Sequence, residues 1–156
     1  MYNSRMSPSS WFDLLRLPLE LVALIAAFAP FLIVIQSWGS LPELVPTHFG
    51  ISGRPDRWGR RWQIWILPVL APVMYTVFSV TTHTLPWSGL DSHLPESLLR
   101  AMVPLKALIC LELSYVSWMT VRVARKQAER LNSFLLLGMI LLSIAPVLFA
   151  VLTEHK

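Results

Sequence analysis

The chain has little cysteine and little charge, and each shortage excludes a class of protein. A single cysteine, Cys110, among 156 residues rules out an intramolecular disulfide and any zinc site built on paired thiolates. Charged residues make up 14% of the chain, against about 25% in soluble domains, while 54% is hydrophobic and the mean hydropathy is +0.56. Water is therefore not its main solvent. There is no nucleophile elbow, no phosphate-cradling glycine loop and no two-histidine metal helix. Nothing signals an enzyme, and no cofactor or metal is expected. Heptad arrays, internal repeats and low-complexity tails are absent too, so residues 1–156 read as a single membrane domain. The net charge of +4 does not point to nucleic acid, because basic residues in an apolar chain mark cytoplasmic loops and meet anionic headgroups.

What is present is a set of long apolar runs. A bilayer crossing needs about 20 mostly apolar residues. Leu21 to Pro42, Trp62 to Leu90 and Leu131 to Thr153 qualify without a charge. A further run, Ala101 to Val121, carries Lys106 and Glu112. Each mid-span charge costs roughly 2.5 to 3.5 kcal/mol, and an apolar residue returns only about 0.3 to 0.6. Its eight aliphatic residues offset about one charge, so this helix needs neighbours to insert. The expected fold is all-α: an integral membrane four-helix bundle with helices about 17–38, 62–83, 101–121 and 132–152. The first run exceeds the 7 to 15 residues of a signal core, so it is expected to be a retained anchor. Ala23 and Ala27 offer it a small-residue contact face.

Sidedness comes from the basic residues. Arg54, Arg57, Arg60, Arg61, Arg122, Arg125, Lys126 and Arg130 lie in the first and third connectors, against Arg5, Arg16, Arg100 and Lys156 on the other face. The connectors should be cytoplasmic and the termini outside. Trp11 and Trp87 flank one face, and Trp38, Trp58, Trp62, Trp65 and Trp118 the other, as interfacial belts do. Prolines 30, 68, 72, 104 and 146 interrupt the helices. Either they are simply tolerated, or Pro68 and Pro72 open a polar crevice beside Tyr75, Thr76 and Ser79.

The distinctive segment is the connector Leu41 to Trp62, LPELVPTHFGISGRPDRWGRRW. Prolines 42, 46 and 55 fix backbone angles while glycines 50, 53 and 59 permit positive ones, which favours a structured Pro/Gly-rich loop over 41–61 with a turn at Gly53-Arg54-Pro55-Asp56. The joint spacing of Pro46, His48, Phe49, Gly53, Asp56, Trp58 and Gly59, with Leu67-Pro68 in the next helix, resembles the bacterial membrane-protein family called domain of unknown function 1648. That family includes relatives of the immunity protein for the sporulation-delaying toxin. The resemblance covers about Leu41 to Leu70 and implies a membrane location and a shared loop fold. Two departures from the family pattern stand out: Gly50 replaces a usual Asn or Asp, and Arg60-Arg61 replaces a usual Ser-Lys.

Within the loop, His48 can ligate metal or exchange protons, but only Asp56 and Glu43 are near in sequence. Its expected role is to hold a loop carbonyl or Asp56. Arg57, Arg60, Arg61 and Trp62 form a headgroup-binding pattern. Glu112 is the sharpest intramembrane group, as coupling site or as helix-to-helix glue. Lys106 lies six residues away, about 600 degrees around the helix, so the two face different neighbours, and Lys106 is expected to snorkel outward. The expected function is non-enzymatic recognition of a partner, peptide or lipid through the 41–61 loop, in the manner of an immunity protein or accessory subunit. The alternative is a small proton- or ion-coupled transport component using Glu112. Expected contacts are membrane lipid and a protein partner or larger complex, in a bacterial cytoplasmic (inner) membrane.

Overall fold

In the computed structural model, which describes residues 8–84 and 96–154, the apolar runs form helices and the loop after the first is a β-hairpin. The helices are α1 (Pro8–Ser37), α2 (Ile66–Thr84), α3 (Glu96–Ala124) and α4 (Ser133–Glu154). Three apolar stretches are long enough to cross a membrane, Leu14–Ser40, Arg61–Thr82 and Ser133–Leu152. This is a membrane protein by that measure. α3 is the exception, because of Lys106 and Glu112, and it is also the helix that packs against each of the other three. The marginal span therefore sits where protein, not lipid, surrounds much of it.

Small residues let it sit there. Ala23, Ala26 and Ala27 of α1 and Ala107 and Cys110 of α3 are buried, and the close backbones allow the Ser114 hydroxyl to donate to the Ala26 carbonyl at 2.5 Å. The opposite faces stay apolar and open, as with Ile25, Leu32, Leu141 and Leu152. That is the pattern of side chains that face hydrocarbon.

The helices differ from the expected boundaries in three places, one being α3, which begins at Glu96 rather than near 101. α1 starts at Pro8 rather than near Leu17, since Pro8 is compatible with a first helical turn and the helix continues through Pro18 without a break. The segment Arg61–Trp65 is a 3-10 turn, and the regular helix begins only at Ile66. α3 ends in a Schellman arrangement: Gln127 N–H donates to the Arg122 carbonyl at 2.8 Å and Lys126, at φ 57°, to that of Val123 at 3.0 Å.

The all-α expectation is corrected by the hairpin. Strand β1 (Leu44–Phe49) pairs antiparallel with β2 (Pro55–Arg60), Leu44 facing Arg60 and Phe49 facing Pro55. Prolines 46 and 55 are tolerated because a two-stranded ribbon consists only of edges, and the register shifts on either side of His48. Arg5, Trp87, His93, His155 and Lys156 lie outside the described residues.

Candidate functional site

The hairpin is clamped to the bundle at both of its ends. At its base, Val45 is fully buried in a cluster with Val34, Leu41, Ile64, Val121 and Ala124, which joins α1, the hairpin, the 3-10 turn and α3. Burying such a valine contributes about 1.5 to 3 kcal/mol. Arg61 N–H donates to the Glu43 carbonyl at 2.7 Å, and the Arg61 guanidinium lies 4.5 Å over the Trp38 ring. Of the other residues expected at headgroups, Arg57 pairs across from His48, Arg60 pairs with Leu44, and Trp62 is exposed on the 3-10 turn.

At its tip, the turn docks on the α3–α4 connector. Leu131 N–H donates to the Gly53 carbonyl at 2.8 Å, while Gly53 itself holds φ 76°. A β-carbon on Gly53 would lie 2.0 Å from the Leu131 carbonyl oxygen and 2.8 Å from the Ser133 hydroxyl. Glycine is required here both by backbone angle and by close approach. At Gly59, paired with Val45, an added β-carbon would meet the flexible Gln63 side chain and the Thr47 methyl.

Between tip and base, His48 Nδ1 meets Asp56 Oδ1 at 2.6 Å, both side chains being half exposed. Hydrogen bonding from His48 is the main cause that holds the Asp56 carboxyl below its usual value, its charge acting in the same direction. Pro46 is buried and pairs with the exposed Trp58, and Phe49 ends β1. Among the described residues, no group of three or more His, Cys, Asp or Glu gathers around a common point.

His48, Phe49 and Asp56 form the mouth of an open groove of about 1480 Å³ whose other walls are α3, through Tyr115 and Trp118, and the start of α4. Its polar edge is set by the connector. The Tyr115 hydroxyl accepts the Asn132 amide at 3.2 Å, and Asn132 caps α4 by accepting the Leu135 amide at 3.2 Å. Ser133 Oγ is enclosed without a hydrogen-bond partner, and Arg130 stands beside it in the lining. No sequence signal distinguishes Tyr115, Asn132 or Ser133 from other interfacial residues.

The two intramembrane charges are not alike. Lys106, expected to snorkel, is instead fully buried: its Nζ donates to Glu20 Oε2 at 2.6 Å and to Ser79 Oγ at 2.9 Å, and lies 4.8 Å over the Tyr75 ring. The reason is Glu20, an acid at the start of the first apolar run, which is the one sequence signal that could have pointed to this pair. Tyr75 and Ser79 of the suspected α2 crevice thus serve Lys106, and Thr76 satisfies itself on the Pro72 carbonyl at 2.8 Å. Glu112 points elsewhere, toward Ser143 of α4, and its Oε1 is buried without a hydrogen-bond partner. It is not among the residues that line the hairpin groove.

Residues 25–71 match the family model described as "Domain of unknown function (DUF1648)". In structural terms that is the second half of α1, the hairpin and the first turns of α2. A protein of Archaeoglobus fulgidus, described as an uncharacterized protein, is 39% identical over 80 residues, which is 49% of this chain and 41% of the relative. The chain thus spans less than half the length of that relative. No solved structure matches. The likeness to the DUF1648 family thus lies in residues 25–71, the hairpin and the helix ends that carry it.

Proposed function

We propose that this is a non-catalytic, four-span protein of the cytoplasmic membrane that recognises a membrane-borne partner through the hairpin face and the groove beneath it. One observation carries the reading. The family segment is locked to the bundle at Val45 and Gly53, yet leaves His48, Asp56 and Phe49 open over a groove. A loop tied down this firmly is a preorganised surface, and preorganisation raises affinity by cutting the ordering cost. Immunity-like and accessory-subunit roles both fit such a surface.

A photoreactive residue at position 51, fully exposed at the hairpin tip, tests this in native membranes. A discrete adduct is expected, lost in His48→Ala and Trp58→Ala and kept in Glu112→Gln. The second reading is ion coupling, favoured by the unpartnered buried oxygen of Glu112. It prevails if no discrete adduct forms and if liposome ion flux depends on Glu112.

A further inference from the structure

The groove is polar at one end only. His48, Asp56, Arg130, Asn132 and Ser133 sit at its mouth, and Trp118, Leu137 and Ile140 wall the part that runs inward along α4. From Ser133 to Ile140 the helix rises roughly 10 Å. Over that distance Leu137 and Ile140 remain exposed on a helix apolar enough to cross a membrane. Whatever fills the inner part must bring no unsatisfied polar group with it. An extended peptide fails that requirement through its amides, whereas a hydrocarbon chain meets it.

The mouth selects the other half of the ligand. The segments 41–61 and 122–132 hold eight basic residues against three acidic ones, Glu43, Asp56 and Glu129. The nearest acid, Asp56, is already engaged by His48 at 2.6 Å. Ser133 Oγ is enclosed beneath the hairpin tip at Gly53, so the cation that the groove itself presents is Arg130. Basic pockets between membrane helices on the cytoplasmic side are suited to anionic headgroups.

Resting on the recognition reading of this same groove, we infer that its occupant is an anionic phospholipid: one acyl chain lies between α3 and α4 along Trp118, Leu137 and Ile140, and the headgroup phosphate meets Arg130. The volume of about 1480 Å³ exceeds the roughly 300 to 1,000 Å³ of sites for drug-sized ligands, as a lipid requires. The hairpin is then a lid over the headgroup, with Gly53 holding it to the connector that carries Arg130.

The test is tryptophan quenching on the full chain in phosphatidylcholine vesicles. They contain a minor fraction of either brominated-chain phosphatidylglycerol or brominated-chain phosphatidylcholine. The anionic probe is expected to quench in excess, and Trp118→Phe to remove that excess. Arg130→Gln is expected to lower the enrichment about fivefold, the effect of one basic side chain at an anionic surface. Leu137→Phe, which fills the inner groove without adding a tryptophan or touching the mouth, is expected to abolish the excess by excluding the chain. Equal quenching by both probes overturns the assignment, and so does an excess that survives Trp118→Phe. If the excess is absent but position 51 still captures a discrete protein adduct, the lipid assignment falls and recognition stands. If both are absent, both fall.

Discussion

Lys106 offers the most demanding test of how the bundle holds together, because its ammonium is fully buried and its opposite charge comes from another helix, through Glu20. Removing one member of a buried pair costs about 3 to 5 kcal/mol, since an uncompensated charge is left behind. Here the two members are not equivalent. Glu20→Gln strands a fully buried Lys106 on the Ser79 hydroxyl and the Tyr75 ring, so the full cost of about 3 to 5 kcal/mol is expected. Lys106→Met leaves Glu20 with a side chain 20% exposed, which can turn toward its opening, and should cost less, about 1 to 3 kcal/mol. The double substitution Glu20→Gln with Lys106→Met removes both charges and is expected within about 1 kcal/mol of the parent. Reversible unfolding in bicelles or mixed micelles measures the parent and all three variants, and glycosylation mapping of the α3–α4 connector reports whether α3 still inserts. The reasoning is refuted if Glu20→Gln stays within about 0.5 kcal/mol of the parent, or if the double variant equals the sum of the singles.

Other outcomes rest on single contacts. Gly53→Ala should destabilise the hairpin by about 1 to 3 kcal/mol, through strain at φ 76° and collision with the Leu131 carbonyl; faster proteolysis within residues 41–61 with the helices intact would show it. The depressed Asp56 pKa means that its link to His48 stabilises the hairpin above the ordinary carboxyl value of 3.8 and fades as pH falls through the lower folded value; hydrogen exchange of the hairpin should accelerate there, and Asp56→Asn should lose that acid step. A cysteine at the exposed position 51, in a Cys110→Ser background, should react with a membrane-impermeant maleimide only from the cytoplasmic face; labelling of intact cells from outside would reverse the topology.

How much of this is legible in the sequence depends on the distance over which each interaction acts. The apolar runs of α1, α2 and α4 state their solvent residue by residue. Lys106 and Glu112 can be assigned to different faces because helix geometry is local, and they do face α1–α2 and α4 respectively. The partner of Lys106 cannot, since Glu20 is 86 residues away and reaches it only after α1 and α3 pack. The hairpin reads as a loop in the sequence because the strand signals compete: Pro46 and Pro55 demote a strand, and Gly50 and Gly53 suggest only turns. The His48–Asp56 link is within reach as one of two options, because eight residues across a hairpin is still short range. The groove is not, as its far wall comes from α3 and α4.

That division bears on what the family segment can do by itself. Residues 25–71 supply the hairpin and part of its base, Val34, Leu41 and Ile64, but the rest of what holds it lies elsewhere: Val121 and Ala124 at the base, Leu131 at the tip. The groove walls Trp118, Leu137 and Ile140 also fall outside the matched segment. The hairpin therefore acts as a lid whose seat and pocket are built from the later helices. Conserving the lid while changing α3 and α4 would keep the docking of Gly53 only where a backbone amide still meets its carbonyl, and would alter the ligand regardless. Exchanging residues 41–61 for the loop of a DUF1648 family protein should then preserve the ligand bound, whereas exchanging 115–140 should change it. If ligand preference instead travels with the loop, the groove is not the determinant and the specificity belongs to His48, Asp56 and their neighbours on the hairpin.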